Sequence, residues 1–147
     1  MKKFLVLIAA LLVGFHARAD NTVPVTLEQM PAPAQEFIKN HFAEKTLTFA
    51  VLEKGFLEKE YKILFTDGTT IEFDSKGNWK DIECKRGDTV PWEAIPVQIA
   101  QYITKTYPDA KVYEIDRDNR GYDVKLTNRM ELEFNTDFTV IDMDYDD

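Results

Sequence analysis

Hydrophobic and polar positions alternate with a period of two through YKILFTDGTTIEF, residues 61 to 73. Tyr61, Ile63 and Phe65 share one parity, Asp67-Gly68 interrupts, and Ile71 and Phe73 resume. Alternate residues of a strand face the same side, and Asp-Gly between two alternating runs is a strong hairpin signal. Lys76-Gly77 marks a second turn, and Trp79 to Cys84 makes a further strand whose inward parity is set by Ile82 and Cys84. Upstream, Leu47, Phe49 and Val51 alternate before Lys54-Gly55 breaks the run. Before that the period changes. In MPAPAQEFIKNHF, residues 30 to 42, Phe37, Ile38, His41 and Phe42 fall on one helical face, and Pro33 fits the first turn, where a missing N–H costs nothing. Residues 21 to 25 read as a frayed lead-in.

The same plan then restarts. IPVQIAQYITKTY, residues 95 to 107, matches residues 30 to 42 at an offset of 65 (95 minus 30), with Pro96 answering Pro31, Tyr102 Phe37, Ile103 Ile38 and Tyr107 Phe42. Val112 to Ile115 reads as a strand and Asp118 to Gly121 as a turn. From Tyr122 the match to Tyr61 runs without a gap at an offset of 61 (122 minus 61), and Tyr61/Tyr122, Thr66/Thr127, Glu72/Glu133, Phe73/Phe134 and Asp81/Asp142 are identical. The first copy holds four more residues (65 minus 61) near its first β-turn. A helix and a small sheet bury little alone, whereas two such units share a core. The pattern predicts an α+β fold: two tandem helix-plus-four-strand repeats, residues 30–84 and 95–147, joined by a linker at 85–94. Together they form one antiparallel sheet of eight strands with the helices packed on one face.

Residues 1 to 19 stand outside this scheme. Met1-Lys2-Lys3 precedes the apolar run Phe4 to Phe15, and Ala17-Arg18-Ala19 has the small-x-small form of a cleavage site. This predicts a signal peptide cut between Ala19 and Asp20, and export to a periplasm; the apolar run is short for a membrane span. Residues 20–29 then form the lead-in. Without Lys2, Lys3 and Arg18, the charge becomes 15 minus 26, or −11, against −8 for the whole chain. So acidic a surface opposes nucleic acid and anionic membrane and suits a basic partner. Cys84 is the single cysteine, so no intramolecular disulfide forms, and it reads as a buried, inert thiol.

Chemistry is sparse. Beyond residue 19 there is one serine, Ser75, one histidine, His41, and one cysteine, Cys84. Nucleophilic catalysis needs a nucleophile, a base and an orienting group together, and a zinc site needs more His and Cys ligands than these. Asp116 to Gly121 fails as an EF-hand, since Arg120 stands where an oxygen ligand is required and Thr127 where a bidentate Glu is. Asp142, Asp144, Asp146 and Asp147 read as a solvated acidic face. Strand parity places Lys62, Leu64, Thr70 and Glu72 outward, with Asp123, Lys125, Glu131 and Glu133 in the second copy. By the same parity Trp79 points out beside Leu64, an aromatic anchor for a partner; the alternative is that the strand bends at Gly77 and Trp79 caps the core. The binding-face candidates are therefore Lys62, Leu64, Glu72, Trp79, Lys125 and Glu133; no catalytic, cofactor or metal residues are predicted.

Pro-x-x-x-x-x-(aromatic)-Ile, the run Pro108-Asp109-Ala110-Lys111-Val112, and Thr66-Asp67-Gly68 followed by Glu72-Phe73-Asp74 and Gly77-Asn78-Trp79 resemble the PepSY-like, β-lactamase-inhibitor-like group of exported proteins. The resemblance covers nearly all of the chain after residue 19. It implies a periplasmic domain of two helix-plus-four-strand units and carries over no catalytic residues. The second copy departs from it, with Asn128-Arg129 for Asp-Gly and Phe138-Thr139-Val140 for Gly-Asn-Trp. The expectation is a monomeric, exported, non-enzymatic binding module, engaging a peptidase or another envelope protein through the open face of its sheet. The alternatives are a weak divalent-cation or glycan binder, and a carboxylate-based hydrolase.

Overall fold

The structure is a computed structural model and describes residues 21–85 and 87–146. The predicted signal segment and its cleavage site lie outside these residues. Nine strands and two helices follow in the order β1 (Thr22–Val25), α1 (Ala32–His41), β2 (Leu47–Lys54), β3 (Lys59–Phe65), β4 (Thr70–Phe73), β5 (Trp79–Glu83), α2 (Val97–Thr106), β6 (Val112–Asp118), β7 (Gly121–Leu126), β8 (Met130–Asn135) and β9 (Val140–Tyr145). They form one open antiparallel sheet in strict chain order. Mixed α and β structure on an antiparallel sheet is as the periodicity predicts. The strand count is not: residues 22 to 25 pair with β2 through Val25↔Ala50 and Pro24↔Val51, adding a ninth strand. A strand so short, with a proline in it, carries little alternation; its partner defines it. As an edge strand it tolerates Pro24, which needs no ladder donor.

One register line accounts for the core. Val25, Ala50, Ile63, Ile71, Ile82, Ile115, Val124, Leu132 and Met143 are successive cross-strand partners from β1 to β9. Partners share a face, so this line runs across one side of the sheet. Both helices cover that side. Phe37 meets Phe73 edge-on at 6.0 Å, Phe42 stacks on Phe65 at 6.1 Å, and Tyr102 meets Phe134 edge-on at 5.5 Å. Ile38, Ile99 and Ile103 are buried beneath them. Each such side chain contributes about 1.5–3 kcal/mol by leaving water. Gly77 brings the β4–β5 turn against the start of α1, where a Cβ would lie 2.9 Å from Pro31 and from the Ala34 nitrogen.

Four register shifts interrupt the ladders, each placing one extra residue in a strand: Thr48 in β2, Lys80 in β5, Tyr113 in β6 and Ile141 in β9. The shift at Lys80 overturns one expectation. Glu72 faces Asp81, but Phe73 faces Trp79. Trp79 thus joins the helix side, is 7% exposed, and belongs to the core. Its ring lies 4.1 Å below the Arg117 guanidinium and 6.5 Å from Tyr122. Trp79 is not an outward anchor; unbroken alternation back from Ile82 misplaces it because a bulge reverses parity.

Candidate functional site

The uncovered side of the sheet is built from the other parity of every strand. Along its middle line, Lys62 (β3), Glu72 (β4), Asp81 (β5), Asp116 (β6), Asp123 (β7), Glu133 (β8) and Asp142 (β9) are successive partners. Beside it run Leu64, Thr70, Glu83, Glu114, Lys125, Glu131 and Asp144. Lys62, Leu64, Glu72, Lys125 and Glu133 therefore lie where strand parity predicts. Asp81 and Asp116 complete the acidic line. Parity against Ile82 and Ile115 marks both as outward, but their meeting depends on the β5–β6 pairing that joins the two halves of the chain. Two helix-separated strands carry no turn signal for that register.

Directly opposed side chains of an antiparallel pair sit about 4.5–5.5 Å apart at Cβ, and like charges so placed repel. Six consecutive carboxylates, Glu72 through Asp142, are so placed. The lysines answer only part of this charge. Lys62 bridges Glu53 at 2.9 Å and Glu72 at 3.3 Å, Lys125 bonds Glu114 at 3.0 Å, and Lys80 pairs with Glu60. Burial works against each ammonium, but the facing carboxylates outweigh it and raise all three lysines. At the centre the carboxyls rise. Burial, then the facing Asp116, holds Asp81 well above the ordinary range. Burial, then Glu114 and Glu72, lifts Asp116 to about 7. Burial and a hydrogen bond with Glu131 lift Asp123 to about 8. Glu72 and Glu114 rise for the same first reason, opposed by Lys62 and Lys125 respectively. The middle of the face thus carries less negative charge at neutral pH than its composition suggests.

No catalytic constellation assembles from the single-copy residues. Ser75 is exposed in the β4–β5 turn, which packs at the start of α1, whereas His41 is the last residue of α1, against the Phe37 ring at 4.9 Å. A ten-residue helix separates those ends by about 15 Å. Cys84 is buried, and burial pushes its thiol up to about 11, as an inert packing residue requires. Among the described residues no three His, Cys, Asp or Glu side chains converge as a metal site. A separate feature marks the β2–β3 hairpin. Its tip exposes Phe56 (99%) and Leu57 (87%).

The PepSY-like family, described as "Putative beta-lactamase-inhibitor-like, PepSY-like", matches this chain over residues 59–142. The chain belongs to that family. Among solved structures of such PepSY-like proteins, a "putative calcium-regulated periplasmic protein" from Bacteroides thetaiotaomicron is 48% identical, with a TM-score of 0.80 over 86% of this chain and 98% of that one. A "putative periplasmic protein" from Bacteroides vulgatus is 41% identical, with a TM-score of 0.81 over the same shares. Another from B. vulgatus, described as of unknown function, is 30% identical, with a TM-score of 0.75 over 84% and 98%. No curated protein matches. Among the described residues no helix is long and apolar enough to cross a membrane.

Proposed function

We propose that this PepSY-like chain is an exported, monomeric, non-enzymatic binding module that takes a cationic protein surface on the open face of its sheet. The observation that carries this reading is the unbroken carboxylate line from Glu72 to Asp142. Cross-strand repulsion makes that line costly for folding alone, and a basic partner relieves it. Lysine or arginine side chains laid across the face would pair with carboxylates already partly withdrawn from water, which strengthens the pairing. Lys62 and Lys125 set the register of the contact by excluding positive charge at two points; Leu64 adds apolar area. The relatives described as periplasmic support export through the segment at residues 1–19. Single, separated Ser, His and Cys residues support a role without catalysis.

An internal duplication supports the same picture of one face shared by two units. The bulges at Thr48 and Tyr113 stand 65 residues apart, those at Lys80 and Ile141 stand 61 apart, and both offsets equal those of the sequence match. Gly68 and Gly77 adopt positive φ, as do Arg129 and Phe138, again 61 residues on. A second reading, calcium on the open face, is favoured by the description of the B. thetaiotaomicron relative as calcium-regulated.

Calorimetric titration with a decalysine peptide tests the proposal. Binding should weaken steeply with salt and fall at least tenfold in the double variant Glu72→Gln/Glu133→Gln. Equal binding by wild type and variant would refute it. Calcium in place of the peptide tests the second reading.

A further inference from the structure

We infer that the open face stores a proton: Asp123 on β7 and Glu131 on β8 hold one hydrogen between their carboxyl groups at neutral pH, and its release switches on charge at the centre of the face. Asp123 is 8% exposed, and its Oδ1 is buried with no hydrogen-bond partner. The groups that face it are almost all acids. Asp116 stands directly opposite on β6, with Glu114 in the next line of that strand. Glu133 stands directly opposite on β8, and Glu131 lies on the diagonal. On its own strand Lys125 is two residues away, but its Nζ is engaged by Glu114 at 3.0 Å. Among the described residues no N–H or O–H reaches the buried oxygen.

A buried carboxylate oxygen without a donor is costly, on the order of 1–3 kcal/mol or more for a charged group. A proton or a metal ion removes that cost. Since no three candidate ligands converge among the described residues, the proton is the solution the geometry favours. Protonated Asp123 becomes a donor, and the Glu131 carboxylate on the diagonal is its acceptor, so one hydrogen serves both groups. The upward displacement of Asp123 to about 8 agrees with this placement. Nothing is consumed: the proton leaves to solvent as the pH rises, and the face gains one negative charge.

The pair is placed to regulate binding. Asp123 lies in the middle of the carboxylate line with Glu131 in the line beside it, so a cationic side chain seated there competes with the proton. That second step rests on the proposed cationic partner; the stored proton does not.

Side-chain carboxyl carbon-13 NMR of aspartate-labelled protein against pH provides the test. Asp123, assigned from the signal missing in Asp123→Asn, should titrate with a midpoint near 8. In Glu131→Gln the midpoint should fall by at least one pH unit, a tenfold loss of proton affinity, because the amide offers a donor and removes a like charge. An ordinary Asp123 midpoint in wild type would overturn the inference, as would a midpoint indifferent to Glu131→Gln. A raised midpoint that appears only after EDTA would also overturn it, placing a metal ion where the proton is proposed. The regulatory step is read separately. If decalysine binds, its uptake at pH 7 should release protons in wild type and none from this pair in Asp123→Asn. If decalysine does not bind but the midpoint stands near 8, the partner proposal fails and the stored proton survives.

Discussion

The stability of this protein should fall as the pH rises from about 5 to about 9, opposite to the trend of a domain held by carboxylate salt bridges. Asp116 shows the magnitude. Its carboxyl sits near 7 in the folded chain against the ordinary value of 3.8, raised first by burial and then by Glu114 and Glu72. The folded state therefore holds a proton that the unfolded chain has released. For a group raised on folding, the stabilisation is fully present below the unfolded value and is lost as the pH passes through the folded one. The gap between 3.8 and about 7 corresponds to about 4 kcal/mol, reduced to roughly 2 kcal/mol by screening on a half-open face. Asp81 and Asp123 act in the same direction. Asp67 acts in the other: held down to about 2 despite some burial, through Lys45 and Thr69, it withdraws support as the pH falls through about 4 to 2. Maximum stability is then expected near pH 4, where Asp67 is ionised and the raised carboxyls have not begun to withdraw support. Urea unfolding followed by circular dichroism at pH 5 and pH 9 measures the difference, with an unchanged m-value marking a true stability effect. Asp116→Asn should reduce the drop by roughly 2 kcal/mol, since its amide has nothing to lose at high pH. A flat or rising stability from pH 5 to 9, or the same drop in Asp116→Asn, would show that the carboxylate line is ionised at no cost.

With Trp92→Phe removing the second tryptophan, Trp79 should emit at short wavelength and resist acrylamide quenching; a red-shifted, readily quenched signal would mean that the Lys80 bulge is absent in solution. Arg129→Gly should stabilise by about 0.5–1 kcal/mol in thermal or urea unfolding, because Arg129 holds φ of 70° and a non-glycine residue there is strained by about 1–2 kcal/mol, less the entropy that glycine gives up. Phe138→Gly, with φ of 63°, should instead destabilise, since it removes the ring stacked on Tyr122 at 5.4 Å. Gly121→Ala should unfold the second half at ordinary temperature as judged by circular dichroism, because a Cβ there would lie 1.9 Å from the Phe134 carbonyl oxygen and φ is +146°.

Local pattern determined much of this protein. Alternation in residues 61–73 and 122–134, the three-and-four spacing of Phe37, Ile38, His41 and Phe42, and the Asp67-Gly68 turn each act over a few residues, so the sequence records them directly. They suffice for the class of fold, the covered face and the outward placement of Lys62, Leu64, Glu72, Lys125 and Glu133. Pairing decided the rest. Residues 22–25 are a strand because β2 offers them an edge. Trp79 is a core residue because Lys80 is an extra residue opposite Glu72-Phe73, and one such insertion reverses every parity beyond it. Arg129 and Phe138 take conformations that glycine takes at Gly68 and Gly77, because the ladders on either side over-determine the turn. The acidic line is the clearest case. Its members are scattered from Glu72 to Asp142, and each alone reads as a solvated carboxylate. Only the β5–β6 register, which follows a linker and a helix, sets Asp81 against Asp116 and closes the line. Long-range pairing is selected by the total burial it achieves, and that sum is not written in any one segment of the chain.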